Sequence, residues 1–332
     1  MSKRLFWPFI LLFLGIILLL HNLGVIPWRF LSYWPVLLIL LGFLVLAGPW
    51  RILSLLAQDR RVQPPVSSEL RSSVALDTAA AVRLDLHARR GHLGLTADPG
   101  EHLFTARAFF EWESDRPSLI ETPAPREGRA GVAFLAGRRS AWWALTWLGG
   151  GGELPRYEVN LGRPGIPHEL GLRLNTGWAD LNLAGLNLAD LTLTVNSGRC
   201  RVNMDRGPVA CRSFSAVMNS GELDLAGLGA LGAPSYYFKV NSGRVSADLA
   251  GLAPGEAPGL MVEVNSGNVA LALPPGARFD VELRIISGMA DISGRQYHGG
   301  RHQTSIGAGK TAGRLQIRLI SGLVRVRQAA GG

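Results

Sequence analysis

Two kinds of hydrophobic patterning divide this chain. Up to about residue 60 the apolar positions come in unbroken runs; beyond it they come at every second residue. The runs are LFWPFILLFLGIILLL (5–20) and YWPVLLILLGFLVLAGPW (33–50), and neither contains a charge. With their flanking residues both reach the roughly 17–20 residues that a helix needs to cross a bilayer. They predict membrane helices over about 5–24 and 33–50. No small-x-small cleavage site follows the first run, where the chain reads HNLGVIP, so a hairpin is expected in place of a cleaved leader. Each run opens on Trp-Pro, at Trp7-Pro8 and Trp34-Pro35. Proline suits a first helical turn and tryptophan the membrane interface.

From residue 82 the alternation begins, with VRLDLHARRGHLGLTA (82–97) as two strands around a glycine turn. A short phrase then recurs: LNTG, VNSG, MNSG, VNSG, VNSG, IISG and LISG end at Gly177, Gly198, Gly221, Gly243, Gly267, Gly288 and Gly322. The intervals are 21 to 24 residues, except for 34 before the last. Apolar residues sit before each phrase (Leu193 and Val195, Phe238 and Val240) and two and four residues after it (Cys200 and Val202, Val269 and Leu271), with polar residues between. Each unit therefore reads strand, Asn-Ser-Gly corner, strand. Glycine supplies the positive φ of the corner, and asparagine tolerates it. A period near 22 residues is that of stacked units. The expected fold is an N-terminal two-helix transmembrane hairpin followed by an all-β domain, a β-solenoid of about seven stacked repeats. Stacking would align Asn196, Asn219, Asn241 and Asn265 as a hydrogen-bonded ladder, ending where Ile286 and Ile320 take the asparagine place.

These patterns set the expected organisation: a hairpin over 1–61, a Pro/Ser-rich linker over 62–75, first strands and a tryptophan-rich insertion over 76–169, repeats over 170–327 and a tail over 328–332. RLQIRLISGLVRVR (314–327) alternates arginine with apolar residues, as a final strand guarded against edge pairing would, and is expected to cap the stack. RRSAWWALTWLGGGG (138–152), with Trp142, Trp143 and Trp147, would either cap the other end or dock on a membrane or partner.

Charge refines the first segment more than the second. The formal net charge is +9, and the first 61 residues supply +5 of it, from Lys3, Arg4, Arg29, Arg51, Arg60 and Arg61 against Asp59. That basicity flanks apolar runs, so it is no nucleic-acid signature. Only Arg29 lies between the runs, which places both termini in the cytoplasm of a multi-pass protein of the cell membrane.

Candidate chemistry is sparse. Asp180, Asp224 and Asp291 each lie three residues after a corner glycine and are expected as solvated outward acids. Asp180 and Asp224 would be two levels apart, about 9–10 Å at a strand spacing near 4.8 Å, a marginal fit to the glycosidase pairs. His87 and His92 fall on the first strand pair, and His298 and His302 in a glycine-rich loop. No zinc spacing, phosphate loop or nucleophile elbow is present. No catalytic, cofactor-binding or metal-binding residue is assigned, and no cofactor is expected. Two cysteines exclude a disulfide framework; Cys200 is expected as a small buried hydrophobe, with a bond to Cys211 left open.

The paired WPFILLFLG (7–15) and WPVLLILLG (34–42) resemble the LiaI/LiaF-like transmembrane region. YEVNLGRPGIPHELGLRLNTGWADLNLAGLNLADLTLTVNSG (157–198) resembles the start of a LiaF-like C-terminal domain, and the later repeats resemble toast-rack, adhesin-type β-solenoids. The chain departs from that pattern at Trp178, where a small residue is usual, and in the insertion over 294–313. The resemblance implies a bacterial non-enzymatic regulator that restrains a cell-envelope stress system through a membrane histidine kinase. The other readings are a structural or adhesin-like envelope scaffold and, third, a polysaccharide-acting enzyme. Homo-oligomers are compatible with each.

Overall fold

In a computed structural model the chain divides into two units, Met1–Arg60 and Arg61–Gly332. The structure describes residues 61–71, 81–97, 103–112, 115–122, 129–136, 154–162, 165–204, 211–252, 258–309 and 312–329. The two apolar runs and the Trp142, Trp143 and Trp147 stretch lie outside them. Among the described residues no helix is long and apolar enough to cross a membrane.

Among its described residues the second unit is nearly all β, one hydrogen-bonded sheet of 21 strands with a short 3-10 helix at Leu228–Leu231. In chain order these begin with β1 (Arg61–Arg71), β2 (Ala81–Ala88), β3 (His92–Ala97), β4 (Phe104–Trp112), β5 (Ser118–Thr122), β6 (Arg129–Ala136) and β7 (Arg156–Leu161). Then come β8 (His168–Leu174), β9 (Trp178–Asn182), β10 (Leu188–Val195), β11 (Arg199–Asn203), β12 (Ser213–Met218), β13 (Glu222–Ala226), β14 (Ser235–Val240) and β15 (Arg244–Asp248). The last are β16 (Gly259–Val264), β17 (Asn268–Leu273), β18 (Arg278–Ile292), β19 (Arg295–Ile306), β20 (Ala312–Leu319) and β21 (Leu323–Gln328).

The expected units stack in parallel, as in a solenoid. One wall runs β6, β2, β8, β10, β12, β14, β16, β20, β18. The second runs β7, β3, β9, β11, β13, β15, β17, β21 and the C-terminal part of β18. Between them the corners superpose. Among the described residues eight corner glycines have φ between 102° and 148°, the seven of the repeated phrase and Gly91. The eighth was hidden because its phrase is Arg89-Arg90-Gly91. The corners demand glycine for space as well as for φ: a Cβ on Gly198 would fall 2.1 Å from the Gly177 carbonyl oxygen, and one on Gly221 2.0 Å from that of Gly198. Each carbonyl is used, as Arg199 N–H donates to Gly177 O at 3.0 Å and Glu222 N–H to Gly198 O at 2.8 Å.

Period-two alternation fills the space between the walls with side chains in register. One inward row is Leu84, Leu170, Leu191, Phe214, Tyr236, Leu260, Leu315 and Val281, all buried. Large residues sit beside small ones: Phe238 is level with Ala216, and its ring meets that of Phe214 at a centroid distance of 5.5 Å. Each fully buried Leu or Phe contributes roughly 1.5–3 kcal/mol, so a row of eight outweighs any single surface contact.

Three expectations about the ends are corrected. The sequence places the unit of Gly288 before that of Gly322, but in space β20 and β21 lie between β16–β17 and β18. The chain skips a level, lays down β18, turns back as β19 antiparallel along its far edge, and returns to fill the gap. The long interval before Gly322 supplies the 12 residues of β19. Residues 314–327 are therefore interior and cap nothing; β19 takes the edge. At the other end, residues 62–71 form no linker but most of β1, which pairs with β4, which pairs with β7. The Pro-Pro pair is accommodated by a register break between Arg61 and Val66. β5 lies antiparallel on β6. Phe104, Phe134 and Tyr157 plug the core there, with ring centroids 5.7 and 6.0 Å apart. Arg90 turns outward from its corner to clasp buried Asp115 at 2.9 and 2.5 Å.

Candidate interaction surface

The outward face of the second wall carries most of the chemistry singled out in the sequence. Asp180, Arg201 and Asp224 occupy neighbouring strands in register. The two carboxylates are thus two levels apart, with a guanidinium between them. Arg201 approaches Asp224 at 3.9 Å and Arg199 holds Glu222 at 2.6 Å. Asp180 Oδ2 accepts from His92 Nε2 at 2.8 Å. Asp180 is exposed and Asp224 half-buried on the outward face, but Asp291 is buried. It is 8% exposed, accepts from Gly294 N–H at 2.9 Å, and lies 3.6 and 3.9 Å from Arg325 and Arg327. The unforeseen arrival of β21 beside β18 covers it.

The histidines stay apart. His87 is on β2, where burial first and then Arg173 lower its pKa. His298 and His302 lie on strand β19, not in a loop, and a ring nitrogen of His302 meets the carbonyl oxygens of His298 and Gly299 at 3.1 and 3.0 Å. Among the described residues no group of three His, Cys, Asp or Glu is placed to hold a metal ion. Cys200 and Cys211 are buried free thiols. Burial pushes the Cys200 thiol up to about 12 and that of Cys211 to about 11, so neither is a nucleophile near neutral pH.

Two exposed features stand out from this charge lattice. Trp178, 60% exposed, stands in the second-wall row between His92 and Arg199. On the first wall Arg318, Arg284 and Arg301 lie directly beside one another on β20, β18 and β19. Sequence reasoning missed this row. RLISG and RIISG do share an arginine four places before glycine, but only the inserted β20 makes the two adjacent, and only β19 adds the third.

Two solved structures cover 80% of the chain. One is a candidate cell adhesion protein from Clostridium sporogenes, matched over 100% of its length at 16% identity with a TM-score of 0.41. The other is a candidate adhesin from Bacteroides fragilis, matched over 98% of its length at 7% identity with a TM-score of 0.35. No curated protein matches by sequence. Residues 5–46 match the LiaI-LiaF-like transmembrane region. The chain thus joins a LiaI-LiaF-like transmembrane region to a repetitive, solenoid-like β domain.

Proposed function

We propose that this protein is a membrane-anchored, non-enzymatic accessory to cell-envelope stress sensing, which acts by holding another membrane protein against the outward faces of its β-solenoid. The observation that carries the reading is the match of residues 5–46 to the LiaI-LiaF-like transmembrane region. In this reading the segment forms a two-helix hairpin, both termini are cytoplasmic, and the partner is a sensor histidine kinase. The second-wall face supports it. Trp178 stands beside Arg199, and tryptophan and arginine are among the residue types enriched at interface hot spots; the alternation of Asp180, Arg201 and Asp224 can match a partner of complementary charge. A shared bilayer raises the effective concentration of any such partner.

The test is crosslinking in native membranes followed by mass spectrometry, alongside the stress-regulon output of a deletion strain. Recovery of a sensor kinase, lost with Arg199→Glu and Arg201→Glu, and a shifted basal output are expected. Recovery of wall polymers or self-contacts alone, with an unchanged regulon, would instead support the envelope-scaffold reading. Labelling of an engineered C-terminal cysteine by an impermeant maleimide on intact cells would overturn the cytoplasmic placement.

A further inference from the structure

Charge is distributed unevenly along the stack. Residues 62–277 carry 19 basic and 21 acidic side chains. Strands β18 to β21 carry eight arginines against three carboxylates, Asp280, Glu282 and Asp291. Most arginines elsewhere are matched to an acid on the same or the next strand, as Arg199 is to Glu222 and Arg212 to Glu169 and Asp190. In the row of Arg318, Arg284 and Arg301, Arg318 has Glu263 level on its other side, while Arg284 is flanked by an arginine on each side. Like charges directly opposite on neighbouring strands destabilise a sheet, so the row has a cost that the fold itself does not explain.

The neighbouring acids relieve it only in part, Glu263 facing Arg318 and Glu282 attracting Arg301 as well as Arg314. Glu282 accepts from Gln316 at 3.1 Å and Arg314 at 3.3 Å. Glu263 lies 3.8 Å from Arg318 and also accepts from Tyr237. Neither Arg284 nor Arg301 has an ion-pair partner among the described residues. Next to the arginines, at the corner, Ile320 and Ile286 are exposed by 44% and 67%. They are level with each other, since Ser287 N–H donates to Ile320 O. They also lie on the arginines' side of the strands, two residues further on. Three guanidinium groups and two isoleucines thus lie together on one solvent-facing side of the sheet.

We infer that this end of the domain is a docking surface for an anionic phospholipid bilayer, with Arg318, Arg284 and Arg301 meeting headgroup phosphates and Ile320 and Ile286 entering the interface. Guanidinium matches phosphate in geometry as well as in charge, and exposed isoleucine suits a bilayer interface better than it suits a soluble polyanion. The transmembrane region at residues 5–46 keeps the domain at a membrane, so lipid is the anion at the highest effective concentration. The inference does not depend on the kinase reading, because lipid binding needs no second protein.

The test uses the full chain in phosphatidylcholine nanodiscs, mixed with separate vesicles and separated by flotation. Cofloating is expected with phosphatidylglycerol–phosphatidylcholine vesicles and not with phosphatidylcholine alone, and it should fall as salt is raised. Near an anionic surface each arginine is worth about 1 kcal/mol, so Arg284→Gln and Arg301→Gln should each weaken binding by about fivefold. Arg284→Lys should restore most of it. Ile286→Asn should weaken it at unchanged charge, and Arg83→Gln, at the far end of the wall, should not. Equal binding to neutral vesicles, or no effect of the Arg284→Gln/Arg301→Gln pair, overturns the inference. So does capture of inorganic polyphosphate or an acidic protein by the same arginines without vesicle binding.

Discussion

Asn219 donates its side-chain amide to Asn196 at 2.6 Å and accepts that of Asn241 at 2.5 Å. It is the middle of a ladder that starts at Asn175, where Asn196 donates at 2.7 Å, and ends at Asn265, which donates to Asn241 at 2.7 Å. Identical amides on successive levels give each interior asparagine one role as donor and one as acceptor, so the ladder fixes those amides' orientation. Asn219→Ala breaks two rungs and Asn265→Ala one. At about 0.5–1.5 kcal/mol per hydrogen bond, the first should cost on the order of 1–3 kcal/mol and the second about half as much. Urea denaturation of the two variants checks the ranking.

The corner glycines make a harsher demand. Gly243 has φ 124°, and a Cβ there would meet the Gly221 carbonyl oxygen at 2.4 Å. Gly243→Val adds that overlap to backbone strain of about 1–3 kcal/mol, while Ser242→Ala removes only an outward hydroxyl. Thermal melts should place Gly243→Val far below Ser242→Ala; the reverse order would contradict the corner geometry.

The interleaved order of the last strands can be trapped chemically. Met261 is level with Gln316 on β20, whereas stacking in sequence order would set it beside Glu282. In parallel neighbours the Cα atoms fall within disulfide reach of about 4.4–6.8 Å. Mild oxidation should therefore join Met261→Cys to Gln316→Cys and should not join Met261→Cys to Glu282→Cys. Cys200 and Cys211, buried and with raised pKa values, should stay out of the reaction until the chain is unfolded.

His168 gives the domain a sensitivity to acid. It is fully buried on β8, level with Val82 and Leu188, and burial lowers its pKa from 6.5. The folded state then resists a proton that the unfolded chain accepts. Stability from the neutral ring is complete above pH 6.5 and falls as the pH drops below that value toward the lowered one. The wild-type melting temperature should decline across this window, and His168→Leu should flatten the decline. An unchanged slope in the variant would remove His168 as its cause.

Much of this architecture was legible because period-two alternation fixes which face a side chain takes. Leu193, Val195, Cys200 and Val202 point inward as the pattern requires, and the repeated glycines mark the corners. Neighbour identity is a different quantity. Nothing in the spacing around Gly288 and Gly322 says which unit stacks on Gly267, because two units of the same pattern fit the same slot. Every error at that end follows from this: the capping role given to residues 314–327, the exposure expected of Asp291, the loop expected at His298 and His302, and the overlooked row of Arg318, Arg284 and Arg301. At the other end a corner was hidden because Arg89 takes the asparagine place and Arg90 the serine place before Gly91, so the phrase does not repeat there.

The skipped level also bears on how the chain can be made. A stack laid down in sequence order can close each level as it leaves the ribosome, and losing its last unit merely shortens it. Here β18 emerges before β20 and β21, the strands that lie between it and β16 and β17. The final residues are a keystone: the inner edges of β16, β17 and β18 all remain open until β20 and β21 slide between them. A chain cut short after β19 would lack not its end but its penultimate course. It would present two unfilled parallel edges and an uncovered core, the kind of surface on which nascent chains aggregate.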